Sequence, residues 1–265
     1  MDVSLILITL LLGTIATWLA GDKWASKTAL FFSTAAFAVT AYIIYLYTQG
    51  NMVSMHFLWI KKPLVIFGLQ ADGLSLTMTA LTTALTPLIV YSSFGNLFPR
   101  TRNFYALIML MSFSMVGSFL AVDALVYYIF WELALIPIYF IALSWGSGDL
   151  EERKKAIIKF FIYTFAGSLL MLVAFIYMYQ KAHTFLNLQL YAQFLNPIEQ
   201  RWLFWAFFLA YAIKTPIIPF HTWQANTYQK APAAGTMLLS GIMLKMALFS
   251  IVPVSYTHLT LPTKA

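Results

Sequence analysis

Eight apolar runs, each close to the 20 or so residues that an α-helix needs to cross a hydrocarbon layer about 30 Å thick, dominate this chain of 265 residues. They fall at 3–20, 28–48, 73–93, 104–122, 124–145, 156–179, 202–220 and 232–252. In lipid, backbone N–H and C=O groups must be satisfied within their own segment or by a closed barrel. The alternation over about ten residues that marks barrel strands is missing. The expectation is an all-α, polytopic membrane helix bundle with about eight transmembrane helices. Composition agrees: 9% of the residues are charged and 61% hydrophobic, where a soluble domain is about a quarter charged. The first run has Asp2 in place of a basic n-region and no small-residue cleavage site, so it reads as a retained helix rather than a signal peptide.

The net charge of +7 is distributed unevenly between the connections. One alternate set holds Lys23, Lys27, Arg100, Arg102, Arg153, Lys154, Lys155, Lys159 and Lys230; the other holds only Lys61, Lys62, Lys181 and Arg201. Basic residues collect on the cytoplasmic side, which predicts an N-terminus outside. The charge therefore reads as topology and points to no nucleic-acid partner. The run Glu151, Glu152, Arg153, Lys154, Lys155 is expected to be a solvated loop entering the sixth helix.

Cysteine is absent, which excludes disulfides, thiolate nucleophiles and cysteine-ligated clusters in this chain. The four histidines, His56, His183, His221 and His258, lack metal-ligand spacing. There is no G-x-G-x-x-G and no P-loop; Gly146-Ser147-Gly148 is a weak phosphate signal. No metal and no cofactor is expected on this chain.

Against that background three ionisable residues stand inside apolar runs, where a charge costs roughly 2.5 to 3.5 kcal/mol. Glu132 lies about eight residues into the fifth run, about 12 Å below its start. Pro137 lacks an N–H and frees the carbonyl of Leu133, four residues back. Lys214 precedes Pro216 and Pro219, which free the carbonyls of Ala212 and Thr215, so a broken helix is expected to end near Lys214. The negative end of a half-helix favours a cation, and discontinuous helices at membrane depth build ion sites. The competing reading is a lysine that snorkels from a helix simply ended by prolines. Lys245 sits mid-way along the eighth run, one turn after Gly241, which leaves room for its stem or for a close helix contact.

Other polar residues are less specific. Lys159, with Tyr163, Thr164 and Ser168, either lines a wet interior or is an interfacial basic residue. His221, just past the break, can relay protons. Thr77, Thr79, Thr82, Thr83 and Thr86 suit helix packing, and Asp72 and Asp123 at span ends suit capping. From the residues alone the chain is a membrane helix bundle arranged for proton or cation movement. A passive assembly subunit, its charges setting helix registry, is the rival from another class.

The stretches Phe130-Trp131-Glu132-Leu133-Ala134-Leu135-Ile136-Pro137, Lys159 to Ser168, Lys214-Thr215-Pro216-Ile217-Ile218-Pro219-Phe220-His221-Thr222-Trp223, Ala231-Pro232-Ala233-Ala234-Gly235 and Leu244-Lys245 come in an order and spacing that resemble the subunit M family of bacterial NADH-quinone oxidoreductases. These are the antiporter-like membrane subunits of respiratory complex I. The segment Gln70 to Leu76 resembles the opening of that family's third helix. The resemblance implies a proton-translocating subunit with three N-terminal helices over 1–103 and a first antiporter-like five-helix repeat with a broken seventh helix over 104–253. It makes Glu132, Lys214 and Lys245 the proton-transfer residues, with Lys159 and His221 as further candidates. It also implies other membrane-arm subunits and the lipid bilayer as partners, the cell inner membrane as location, and NADH, flavin, iron–sulfur clusters and quinone used through other subunits. A subunit of a multisubunit cation/proton antiporter is the neighbouring alternative. The loop Gln224-Ala225-Asn226-Thr227-Tyr228 departs from the family's Leu-Pro-Asp-Ala-His, losing an acid and a histidine. The tail 254–265 also departs from it, and is expected to be an atypical end from a truncated or frame-shifted reading frame.

Overall fold

The computed structural model describes residues 2–95, 98–191, 193 and 195–259, with side chains through Ile251 apart from that of Tyr191. The last six residues of the 254–265 tail, and the side chain of His258, lie outside the described residues. The elements run α1 (Ser4–Leu19), α2 (Gly21–Thr48), β1 (Ser54–Ile60), β2 (Val65–Gln70), α3 (Gly73–Ser92), α4 (Thr101–Leu120), α5 (Ala124–Leu133), α6 (Leu135–Trp145), α7 (Leu150–Ala182), α8 (Asn187–Tyr191), α9 (Pro197–Lys214), α10 (Thr222–Lys230) and α11 (Ala233–Leu238). A π-helical turn, Leu239–Met243, then leads into α12 (Leu244–Leu259).

Among the described residues, six stretches are long and apolar enough to cross a membrane: Gly21–Thr48, Gly73–Ser92, Thr101–Leu120, Ala124–Trp145, Leu150–Ala182 and Ala233–Ile251. The two remaining expected spans are shorter in the fold: α1 has 16 residues, and α9 stops at Lys214 instead of continuing to 220. The molecule is a multi-pass helical membrane protein. At its centre stands α4, packed by α1, α2, α3, α5 and α6. Fourteen of its residues are buried, among them Phe104, Tyr105, Ile108, Met111, Met115 and Phe119.

The helices start where short polar side chains satisfy the first N–H groups. Asp72 caps α3 through Leu74 N and Ser75 N, both at 2.9 Å, and Ser75 Oγ accepts from Asp72 N to complete a capping box. Asp123 caps α5, with Oδ1 accepting from Leu125 N at 3.0 Å and Val126 N at 3.2 Å. Asn196 and Glu199 form the same reciprocal box at α9, with Pro197 in the first turn. The acidic and basic run at 151–155 is not a loop. It forms the first turns of α7, capped by Asp149, because Glu151 and Glu152 favour the positive end of the helix dipole. Glu152 then reaches across to Lys230 at 2.6 Å.

A β-hairpin, unforeseen from the helical periodicity, fills the connection between α2 and α3. β1 pairs antiparallel with β2, Phe57 opposite Phe67 and Ser54 opposite Gln70. Outside the spans the chain can pair strand with strand, and the aromatic and branched residues of 55–60 suit a strand surface. The hairpin is tied to the bundle: Ile66 N donates to Asp123 Oδ2 at 3.2 Å and Val122 N to Gly68 O at 3.1 Å. Gly68 is required there, since a Cβ would lie 2.5 Å from Val122 Cγ2.

Candidate functional site

Two interrupted helices carry the buried charges. The fifth span breaks at Ala134, between α5 and α6. Pro137 has no N–H to offer the Leu133 carbonyl, and Ala134 N bonds back to Phe130 O at 3.2 Å. Glu132 is therefore held one residue before the end of α5. The seventh span breaks at Lys214, the last residue of α9, and resumes in α10.

The carbonyls at the second break are not left as the prolines alone suggest. Ala212 O, expected to be free, accepts from Ile217 N at 2.9 Å, one residue beyond the missing Pro216 donor. Ile213 O is taken by Trp223 Nε1 at 2.8 Å. Trp223 is buried and its ring lies 5.0 Å from that of Phe160. The side chain from α10 thus closes the break in α9 and fixes where its last turn stops.

Lys214 is 1% exposed. Its Nζ sits 3.6 Å from the centroid of the Trp131 ring and has no hydrogen-bond partner among the described residues. Glu132 Oε1 is likewise buried without one. Ser168 and Lys214 are the side chains that act on the Glu132 carboxylate, and Ser168 Oγ itself donates to Phe165 O at 2.8 Å. No contact ion pair joins Glu132 and Lys214. The contact pairs among the described residues are Lys154–Glu151, Lys181–Glu199 and Lys230–Glu152, all near helix ends. A buried carboxylate and a buried ammonium held apart, each able to gain by approach, can respond to a change in field.

The other expected residues occupy separate places. Lys245 is half-buried, and its Nζ donates to Ser240 O within the π-turn. Ser240 Oγ donates in turn to Thr236 O at 2.8 Å. π-turns of this kind widen one turn of a helix and recur at functional positions. Lys159 donates to Thr222 O at 3.3 Å, at the start of α10, with Tyr163 5.9 Å from its Nζ. His221 stands in the neighbouring N-cap position with its side chain exposed. Glu132 and Lys214 are thus brought together, Lys159 and His221 meet the same helix start, and Lys245 stands in its own turn. Trp131, beside Glu132 in the chain, is the contact that sequence reasoning passed over; its signal was an aromatic ring next to a buried acid. No group of three His, Cys, Asp or Glu able to hold a metal occurs among the described residues.

Residues 121–262 match the family described as "NADH:quinone oxidoreductase/Mrp antiporter, TM". NADH-quinone oxidoreductase subunit M of Rickettsia bellii is 35% identical over 224 residues, covering 82% of this chain and 44% of that protein. The chain therefore spans less than half the length of this relative. Among solved structures, respiratory complex I from Thermus thermophilus with bound NADH aligns with a TM-score of 0.74 at 26% identity, over 95% of this chain and 55% of the matched one. The Mrp complex from Dietzia sp. aligns with a TM-score of 0.86 over 98% of this chain and 28% of the matched one. At 17% identity that second likeness concerns the fold alone. On these grounds the chain belongs to the NADH:quinone oxidoreductase/Mrp antiporter transmembrane family.

Proposed function

We propose that this chain forms the first antiporter-like repeat, with the three helices before it, of a proton-translocating membrane subunit of an NADH–quinone oxidoreductase. The observation that carries the reading is the buried Lys214 Nζ at the end of a broken helix, with it and the buried Glu132 Oε1 both lacking a hydrogen-bond partner and no contact pair between them among the described residues. A charge displaced along the neighbouring membrane subunits would draw Glu132 toward Lys214 or away from it. Drawn close, the carboxylate holds the ammonium; withdrawn, it lets the proton move on toward Lys245. Coupling of this kind needs only a difference in interaction energy between two arrangements, and no covalent intermediate. Lys159 and His221, at the start of α10, stand where a proton can enter from the basic side of the bundle.

The uneven charge of the connections supports an N-terminus outside the cell inner membrane. The lipid bilayer and other membrane-arm subunits are the partners. NADH, flavin, iron–sulfur clusters and quinone act in other subunits. The test is NADH-driven proton uptake by inverted vesicles containing the assembled complex. Glu132→Ala and Lys214→Ala are each expected to lower uptake about a hundredfold or more, the lower range for loss of a proton-transfer group. Normal uptake in both rejects the assignment, and sodium-dependent transport without NADH oxidation moves it to the cation/proton antiporters.

A further inference from the structure

A cavity of about 580 Å³ lies at the hairpin end of the bundle. His56, Gln70 and Asp72 stand on the hairpin side, and Tyr127, Tyr211 and Ser250 line the part that reaches into the helices. Each water in the liquid takes about 30 Å³, so the space has room for several waters along a largely apolar wall whose polar points include Gln70, Asp72, Tyr127, Tyr211 and Ser250. The Tyr127 hydroxyl lies 2.6 Å from Ser250 Oγ. Ser250 donates its own proton to Met246 O at 2.9 Å, which leaves Tyr127 as the donor of the pair.

Trp131 lies behind the inner wall of this space, packed against the lining residues Tyr127 and Tyr211. Its ring centroid is 5.6 Å from that of Tyr127 and 5.7 Å from that of Tyr211, and it is 1% exposed. The same ring carries Lys214 Nζ at 3.6 Å, and Lys214 does not line the cavity. Tyr127, Tyr211 and the indole behind them therefore stand between the hairpin-side cavity and Lys214. An indole donates a single N–H and accepts nothing, so it passes no proton. Its face also attracts a desolvated cation, which keeps Lys214 against the ring.

We propose that Trp131 is the gate between Lys214 and a hairpin-side proton vestibule, holding the ammonium by its ring face and excluding the cavity's water until the ring or the lysine moves. Trp131 is a positioning residue; Lys214 carries the proton. The inference rests on the proton-translocation reading of the same site and adds to the basic-side entry a second, hairpin-side access and the barrier that closes it.

The experiment measures decay of a preformed pH gradient in vesicles containing the assembled complex, with NADH exhausted. Trp131→Ala is expected to collapse the gradient about tenfold faster, while Trp131→Phe, which restores a ring face, stays within about twofold of the parent. Adding Lys214→Ala to Trp131→Ala is expected to abolish the excess leak, because the path runs through that lysine. A gradient as long-lived in Trp131→Ala as in the parent overturns the gate. It leaves the proposed function standing, since pumping by Lys214→Ala is a separate measurement. Because the chain has no native cysteine, labelling provides a second route if Trp131→Ala does not assemble. With a membrane-impermeant maleimide read on this chain's own band, Ser250→Cys should react and Ser168→Cys, beside Glu132, should not. Equal reaction at both positions, or none at Ser250→Cys, overturns the proposal.

Discussion

The third helix and the Glu132–Lys214 site both bury polar side chains, but they dispose of them in opposite ways. In α3, Thr82, Thr83 and Thr86 are at most 1% exposed, and each donates to the carbonyl four residues back at 2.7 to 2.9 Å. Thr86 also meets Ser112 of α4 at 2.9 Å. Thr79 is the one among them whose hydroxyl has no partner among the described residues, and it is neutral. In α5 and α9 the buried unpartnered atoms are Glu132 Oε1 and Lys214 Nζ, an acid and an amine in no contact pair. A satisfied hydroxyl strengthens one helix and asks nothing of its surroundings. A separated charge pair retains interaction energy that a neighbouring field can release, which is the property a proton carrier needs.

The sharpest way to break this contrast is to exchange function for stability. Lys214→Met replaces an unpaired buried charge by an apolar chain of similar length. It is expected to leave thermal stability unchanged or raise it by up to about 2 kcal/mol, while proton uptake falls about a hundredfold or more. A variant that loses stability instead would make Lys214 a structural residue like the threonines. A purely packing change should do the reverse. A Cβ on Gly117 would lie 2.4 Å from the Phe130 ring, so Gly117→Ala should cost about 1 to 3 kcal/mol of stability through overpacking. Proton uptake per folded complex should stay near that of the parent, as read by thermal melting beside the pumping assay.

Smaller still, Thr86→Val removes one hydroxyl from a closed network and is expected to cost about 1 kcal/mol with no change in pumping. Loss of pumping would place α3 on the proton path. The smallest effect lies at the hairpin end, outside the apolar run of α9. There the Tyr177 hydroxyl at 2.6 Å, Lys181 at 2.9 Å and Asn196 N at 3.0 Å hold the Glu199 carboxyl well below its usual 4.5, at about 2. With the folded value depressed, this clamp contributes fully above the unfolded value of 4.5 and is lost as pH falls from there toward about 2. Glu199→Gln should flatten the pH dependence of thermal unfolding in that window and leave it unchanged at neutral pH.

Much of the architecture was legible because membrane burial writes itself along the chain. The long apolar runs became helices, and the prolines after Lys214 marked a real interruption. Asp72 and Asp123, set at the ends of spans, turned out to be caps. The proton-transfer candidates stood out because a charge in an apolar run is costly wherever its partners are. What was missed depends on distant pairings. Nothing near Ala212 announces that Ile217 N will claim its carbonyl, or that Trp223 will reach back to Ile213. The hairpin escaped because its strands lie outside the spans and are stabilised by each other and by Asp123, 57 residues from Ile66. The 151–155 run read as a loop because charge was weighed above helix-end electrostatics.

The amino-acid sequence by itself determined that this chain crosses a membrane repeatedly, that Glu132, Lys214 and Lys245 stand within apolar runs, and that the seventh helix breaks near Lys214. Those outcomes follow from the cost of exposing backbone and charge to lipid, which acts on each segment separately. Only the tertiary structure decided that Lys214 rests on Trp131 rather than on Glu132, that Lys245 turns to a π-helical carbonyl, and that two residues of a cavity wall, Tyr127 and Tyr211, pack against the same indole. These depend on how α5, α7, α9 and α12 pack, and packing is set by the simultaneous fit of residues far apart in the chain.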